Sequence, residues 1–410
     1  MSNLPSKTFC VLPFLHLATH PHGTVTPCCE SDPTDGLNQA KTGDRILKLG
    51  QDPIENIMNS DYFNGVRTQM LAGCEPDACK VCYRKEEAGV SSKRERENKI
   101  FSDHISDCRN ATNIDGSLKK VDLRFLELRL GNVCNVKCRS CNPASSSRWM
   151  DDHIALKNKL DFLKFDYEWI KPDEFKWPQS EDFWKELMDV TQNVESIYIN
   201  GGEPTLIKRH WKFLQDLVDA DRAKDIKIWY SVNMTRMPEN EIQVWKEFKD
   251  VRISASIDDL STRNFYIRWP TEWNRILSSI QTLKENGISW DIMQTISIMN
   301  IFYLPEFYKW ANQFGVNHSY NYVNEPEHLN PRYIPESVKS RILDRLNGSI
   351  DPRKYIEIKN LLADNSDSEG KHWAEFCRFT REMDKLRGQS FKLIFPGFYQ
   401  VLLECGVETP

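Results

Sequence analysis

Nowhere do these 410 residues run to eighteen consecutive apolar positions, so no membrane-spanning helix is expected. The first apolar stretch, 10–18, is broken by Pro13 and His16 and lacks a small-residue cleavage site, which makes it a poor signal peptide. There is no internal repeat or low-complexity tract, which argues against collagen-like or repetitive architectures. Positive charge is not in excess either. Lys+Arg 54 against Asp+Glu 59 gives a net charge of −5, so the chain has no global basic field for non-specific nucleic-acid binding, although a local basic groove is not excluded. With 40% hydrophobic and 28% charged residues, the expectation is a soluble, folded, cytoplasmic protein of two or three domains, with no membrane partner.

What the chain does have is twelve cysteines. Cys10, Cys28, Cys29, Cys74, Cys79 and Cys82 lie at the front, Cys134, Cys138 and Cys141 follow, and Cys108, Cys377 and Cys405 are isolated. In a reducing compartment such clusters are metal ligands or catalytic thiols more often than disulfides. Residues 83–105 are charged and helix-prone, and the polar stretch 106–119 reads as a loop, which places a domain boundary near residue 115. The expected domains are 1–115, 116–330 and 331–410. Beyond the boundary, strands are expected at 121–130, 195–200, 226–232, 251–257, 289–298 and 317–323, with helices at 207–220, 239–249, 272–286 and 304–314 between them. That alternation gives an α/β fold with a parallel sheet, either a partial barrel or an open doubly wound sheet. The stretch 151–186, with Phe162, Phe165, Tyr167, Trp169, Phe175, Trp177, Phe183 and Trp184, reads as an insertion, either a helical flap packed on the core or a lid over substrate. The C-terminal part should form helices at 335–347, 352–363 and 369–387 and an apolar end at 391–403.

Cys134, Cys138 and Cys141 form C-x3-C-x2-C directly after the first of those strands. Three thiolates that close in sequence converge on a soft metal centre, and a count of three leaves one iron of a [4Fe–4S] cluster open to a small molecule. Zinc with a distant fourth ligand, or unrelated buried thiols, are the plainer alternatives. Gly201-Gly202-Glu203-Pro204 follows the next strand. Its glycines permit close backbone approach and its carboxylate accepts hydrogen bonds from an ammonium group, although the same residues also suit a simple turn.

With LRLGNVCNVKCRSC, YINGGEP, SVNMT, SASIDD, YIRWPTEW and TISIMN in order at strand ends, residues 120–325 resemble the radical S-adenosylmethionine (SAM) superfamily. The resemblance implies a partial (β/α)6 barrel, a cluster on Cys134, Cys138 and Cys141, and SAM chelated to the open iron. It further implies that Gly201, Gly202 and Glu203 contact the methionyl amino group, that Ser256 and Asp258 bind the ribose or methionyl part, and that Arg268 pairs with the carboxylate. Asn233 and Asn300 are candidates on neighbouring strand ends. The position before the third cysteine, often aromatic in that family, is Ser140 here. Read without the resemblance, Ser256 and Asp258 serve equally as helix caps, Arg268 as a surface ion pair, and the two asparagines as strand ends.

The front cysteines show C-x12-G-x4-C from Cys10 through Gly23 to Cys28, then C-x2-C at Cys79 and Cys82, and the turn residues between Cys10 and Cys28 predict a hairpin that brings those two together. The pattern resembles the Twitch domain, the one-cluster relative of SPASM, although here it precedes the barrel. The resemblance implies an auxiliary [4Fe–4S] cluster on Cys10, Cys28, Cys79 and Cys82, with Cys29 and Cys74 as spares. A four-cysteine zinc ribbon is the alternative.

The expected function is reductive cleavage of SAM to a 5′-deoxyadenosyl radical and hydrogen abstraction from a peptide or protein, ending in oxidation, cross-linking or epimerisation. Dehydrogenation or rearrangement of a carbohydrate or nucleotide-type small molecule comes second, nucleic-acid modification third, and a zinc-binding scaffold is the non-enzymatic alternative. An electron donor such as flavodoxin or ferredoxin is the implied partner. The nine histidines are scattered and identify no general acid or base.

Overall fold

The alternation of β-rich and helical stretches is realised strand for strand. The structure, a computed structural model, describes residues 4–31, 38–163, 172–363 and 370–410. The chain divides into two compact units: 1–133 with 168–230 and 240–251, and 134–167 with 231–239 and 252–410.

The first unit holds β1 (His16–Thr19), β2 (Val25–Thr26), β3 (Lys41–Thr42), β4 (Arg45–Ile46), β5 (Phe125–Arg129), β6 (Ser196–Asn200) and the pairing part of β7 (Lys227–Val232). The strands run in the order β2, β1, β5, β6, β7, parallel except for the β1/β2 hairpin, and β3 pairs with β4 separately. Register puts Leu126, Leu128, Ile197, Ile199, Ile228 and Tyr230 on one face, all buried. Under that face lies the helix Lys208–Asp219, whose His210, Trp211, Phe213, Leu214 and Leu217 are buried, and His210 Nε2 sits 3.0 Å from the Tyr230 hydroxyl. Each such aliphatic side chain stabilises by about 2 kcal/mol through burial. The other face carries Phe125, Glu127, Arg129, Ser196, Tyr198, Asn200, Lys227 and Trp229.

The hairpin expected between Cys10 and Cys28 is β1/β2, turned at Gly23 in the left-handed region (φ 84°). A side chain at Gly23 would press on the Trp177 ring, whose Nε1 donates to the Pro21 carbonyl at 2.9 Å. Of the expected insertion, Phe165, Tyr167 and Trp169 fall outside the described residues. Trp177, Phe183 and Trp184 stack edge to face and, with Phe175, are buried in the first unit, which is core packing. The polar stretch 106–119 is not all loop: a helix, Ile105–Asn110, forms because Ile105 and Cys108, three apart, share a buried face. β1 pairs in parallel with β5, His16 opposite Phe125, so pairing crosses residue 115.

The second unit holds β8 (Asp250–Ser256, from Arg252), β9 (Ser289–Ile296) and β10 (His318–Tyr322), all parallel. Helices Trp273–Glu285 and Leu304–Ala311 alternate with them, and Glu336–Leu346, Pro352–Leu362 and Lys371–Arg387 make the C-terminal part. The apolar end divides into Phe391–Ile394 and Pro396–Glu404, because Pro396 cannot donate into a continuous helix.

Candidate functional site

In the second unit the cysteine loop is held from several sides. Cys134 and Cys138 are buried and Cys141 packs against them. Burial pushes the Cys141 thiol up, and its neighbours Cys138 and Cys134 push it further, so the three thiols sense one another. Burial also raises Cys138, opposed by the Arg268 charge. Asn135, just after Cys134, donates to Thr235 Oγ1 at 2.8 Å, and Asn233 Nδ2 donates to Asn135 Oδ1 at 2.7 Å. Asn233 therefore anchors the loop. Trp149 Nε1 donates to the Cys138 carbonyl at 2.6 Å.

Arg268 donates to Asp258 Oδ2 at 3.0 Å, Asp258 being buried and the Arg268 side chain only 12% exposed, so this is not a surface pair. Burial opposes the guanidinium charge, but Cys138 and Asp258 overcome it and hold the pKa above its ordinary value. Its Nε is buried without a hydrogen-bond partner. Asp258 does not cap the following helix: its Oδ1 accepts from Thr295 N at 2.9 Å. Asn300 spends its amide on the Asp258 and Thr295 carbonyls, each at 2.8 Å, and accepts from Ser297 N at 2.8 Å, so it fixes the strand-end turn and has no donor left. Ser256 ends β8, half-buried.

Sequence reasoning missed the clamp on this loop. Arg139 is wholly buried and donates to Asp384 Oδ1 at 2.5 Å, to Gln389 Oε1 at 2.9 Å and to the Tyr266 carbonyl, with its guanidinium 3.6 Å from the Tyr266 ring centroid. Arg387 pairs with Asp152 at 2.9 Å. A basic residue inside the cysteine motif was the only signal.

In the first unit, Gly201, Gly202 and Glu203 follow β6. A Cβ on Gly201 would lie 2.7 Å from Leu130 N, and one on Gly202 would drive into the Val133 carbonyl. Glycine is required there because backbone meets backbone one residue before Cys134. Glu203 N donates to the same carbonyl at 2.7 Å, while Glu203 Oε1 accepts from Thr205 Oγ1 at 2.7 Å.

The front thiols are also in this unit. Cys10, Cys28 and Cys82 are buried and Cys79 nearly so. Cys79 is raised by burial first, then by Cys28, Cys10 and Cys82, so the four thiols act on one another electrostatically. Cys28 is pushed up to about 12 by burial and by Cys29. Ser31 Oγ donates to the Ala78 carbonyl at 3.1 Å, tying the Cys28 loop to the Cys79 turn. Cys29 turns aside to Lys93 Nζ, 3.0 Å away, and Cys74 is exposed. Among the described residues no three His, Cys, Asp or Glu side chains are gathered closely enough for a single ion. A cluster spreads its thiolates over separate irons and does not need that closeness.

Residues 128–311 match the model of the radical SAM superfamily. The chain carries a radical SAM domain. Members of that superfamily are enzymes, and the domain implies SAM and a [4Fe–4S] cluster as cofactors. Its α/β sheet segments, parallel in both units, agree with that.

Similar curated proteins are an uncharacterised protein of Methanocaldococcus jannaschii, 24% identical over 47% of this chain and 60% of its own length, and the GTP 3′,8-cyclase of Mannheimia succiniciproducens, 25% identical over 40% and 42%. The GTP 3′,8-cyclase of Pasteurella multocida is 26% identical over 35% of each. The chain thus spans between about a third and 60% of the curated relatives it matches. Among solved structures, anSMEcpe with bound AdoMet is similar at 16% identity and a TM-score of 0.39, covering 59% of this chain and 60% of that one.

Within the radical SAM domain, the residues present suit the implied cofactors. The three mutually sensed thiols supply soft ligands, and the buried, unpartnered Arg268 Nε beside them offers a donor. No helix among the described residues is long and apolar enough to cross a membrane.

Proposed function

We propose that this protein is a radical SAM enzyme that abstracts hydrogen from a peptide or protein. The observation that carries the reading is the buried three-thiol loop with Arg268 beside it. Cys134, Cys138 and Cys141 would hold the cluster. Gly201 and Gly202 let the backbone approach the methionyl amino group, Glu203 accepts from it, Ser256 and Asp258 face the ribose or methionyl part, and Arg268 pairs with the carboxylate. Asn233 and Asn300 order the loop and the turn. Together, the bound cluster and SAM supply one-electron reduction and a 5′-deoxyadenosyl radical. The protein's part is to bind, orient and exclude water.

In the same reading, Cys10, Cys28, Cys79 and Cys82 hold an auxiliary [4Fe–4S] cluster in a Twitch-like setting, and electrons come from a flavodoxin- or ferredoxin-type donor in the cytoplasm. The similarity to GTP 3′,8-cyclases makes a nucleotide-type small molecule the second reading for the substrate.

The test is anaerobic reconstitution followed by iron analysis and SAM turnover. About eight irons per chain are expected, about four after alanine replacement of either cysteine group, with 5′-deoxyadenosine released only when Cys134, Cys138 and Cys141 are intact. Stoichiometric zinc without iron would sink the proposal.

A further inference from the structure

In the second unit the helix Lys371–Arg387 ends beside the cysteine loop, where Gly388 in the left-handed region (φ 62°) turns the chain. Residues three apart on a helix share a face, and here Asp384 and Arg387 both reach the loop. Asp384 accepts from Arg139, which lies inside the cysteine motif, and Arg387 Nε donates to Asp152 Oδ2 at 2.9 Å. Asp152 already accepts from Lys137, the residue before Cys138. One carboxylate therefore serves two cations.

The rest of the Arg387 guanidinium is unspent. Its side chain is 1% exposed, yet neither Nη1 nor Nη2 makes a hydrogen bond, although Nη2 also lies 2.9 Å from the Asp152 oxygen. A buried arginine with a purely structural role looks different: in the first unit Arg67 spends its nitrogens on Asn64 and on the Pro13, Gly116 and Met58 carbonyls. The Arg387 guanidinium carbon is 5.6 Å from the Trp149 ring centroid and 5.3 Å from that of Trp269, so two indoles hold it in place. Trp149 Nε1 also donates to the Cys138 carbonyl, which brings the same indole to the cysteine loop. Burial raises the Cys138 thiol, and the charges of Arg268 and Arg387 oppose that rise. In the ion pairs around the loop, Lys137, Arg139, Arg268 and Arg387 meet Asp152, Asp258 and Asp384, an excess of one positive charge. Three thiolates on a [4Fe–4S]2+ core carry a net charge of about −1, which that excess offsets.

We propose that Arg387 is a positioning residue that tunes the SAM-binding cluster: its unspent N–H groups and uncompensated charge act on the sulfur of Cys138 and raise the reduction potential. Hydrogen bonds to cluster sulfurs and nearby positive charge favour the reduced state, which carries one electron more. Reduction by a flavodoxin- or ferredoxin-type donor is thereby made easier. The inference rests on the reading of Cys134, Cys138 and Cys141 as the ligands of that cluster.

A redox titration of the anaerobically reconstituted full-length protein, monitored by electron paramagnetic resonance, tests it. The signal that changes on adding SAM marks this cluster and separates it from an auxiliary one. Arg387→Gln is expected to lower the reduced-to-oxidised ratio at a fixed potential about tenfold, a midpoint about 59 mV lower, and Arg387→Lys to recover part of that loss. Asp152→Asn removes the shared carboxylate and keeps both cations, so its midpoint is expected to rise. A structural role would cost stability or iron in both variants and would not move the midpoint in opposite directions. Iron content and thermal melts verify loading and folding. An unchanged midpoint in iron-loaded Arg387→Gln overturns the proposal, and so does a midpoint that fails to rise in Asp152→Asn, which decides the matter where Arg387→Gln does not keep its iron. Unaltered protein that binds iron but gives no SAM-sensitive signal removes the ligand reading and this inference together, whereas a SAM-sensitive signal with an unmoved midpoint removes this inference alone.

Discussion

At Gly202 the absence of a side chain has a direct chemical consequence. An added methyl group would meet the backbone carbonyl of Val133, which cannot rotate away as a side chain does. Gly202→Ala is therefore expected to shift the loop that leads into Cys134 and to weaken SAM binding at least about tenfold, measured by titration, with the circular dichroism spectrum preserved. Gly287 is the contrasting case, in the left-handed region (φ 67°) with open space around it. Gly287→Ala should cost about 1 kcal/mol in urea unfolding and leave SAM binding unchanged. At this scale the cysteine spacing was the clearest signal in the sequence, because it is local, and the structure buries Cys134 and Cys138 with Cys141 packed against them. Asn300 and Arg139 were not: what they do depends on partners from 5 to 250 positions away, carbonyls in one case and the C-terminal helix in the other.

The helix Lys371–Arg387 matters for the cysteine loop more than its distance in sequence suggests. Asp384 accepts from Arg139 at 2.5 Å, from the Tyr266 hydroxyl at 2.6 Å and from Phe391 N at 2.6 Å. Removing that carboxylate leaves a buried guanidinium without its counter-charge, so Asp384→Ala should destabilise by about 3 kcal/mol or more in urea unfolding and lower iron retention at Cys134, Cys138 and Cys141. Unchanged stability and iron content would show that the clamp is dispensable. The six expected strands of the α/β region appear within a few residues of their places because β-branched runs alternate with amphipathic helical periods. The helix Ile105–Asn110 was hidden because only two of its residues are apolar, so its buried face had too little contrast to register.

Across the whole molecule, burial holds several histidines neutral: His210, His318 and His328 at about 3, and His22 and His153 at about 4. Their folded values lie below the ordinary 6.5, so below that pH the unfolded chain binds more protons. Their stabilising contribution is complete above 6.5 and is lost as pH falls towards 4 and then 3. The urea midpoint should decline steadily from pH 7 to pH 5, a range above ordinary carboxylate titration, and decline less in His210→Phe. A flat midpoint over that range would contradict the account.

The boundary placed near residue 115 rested on polar composition, and composition does not show that β1 lies beside β5. Pairing of a front strand with one more than a hundred residues later leaves no local trace. That pairing has a consequence for synthesis. At about 5–20 residues per second, β1 leaves the ribosome on the order of ten seconds before its parallel partner exists. Throughout that interval Cys10 and Cys28 have emerged while the strand between them still lacks its neighbour. The Cys10–Cys28 hairpin is thus synthesised well before the strand that completes its sheet.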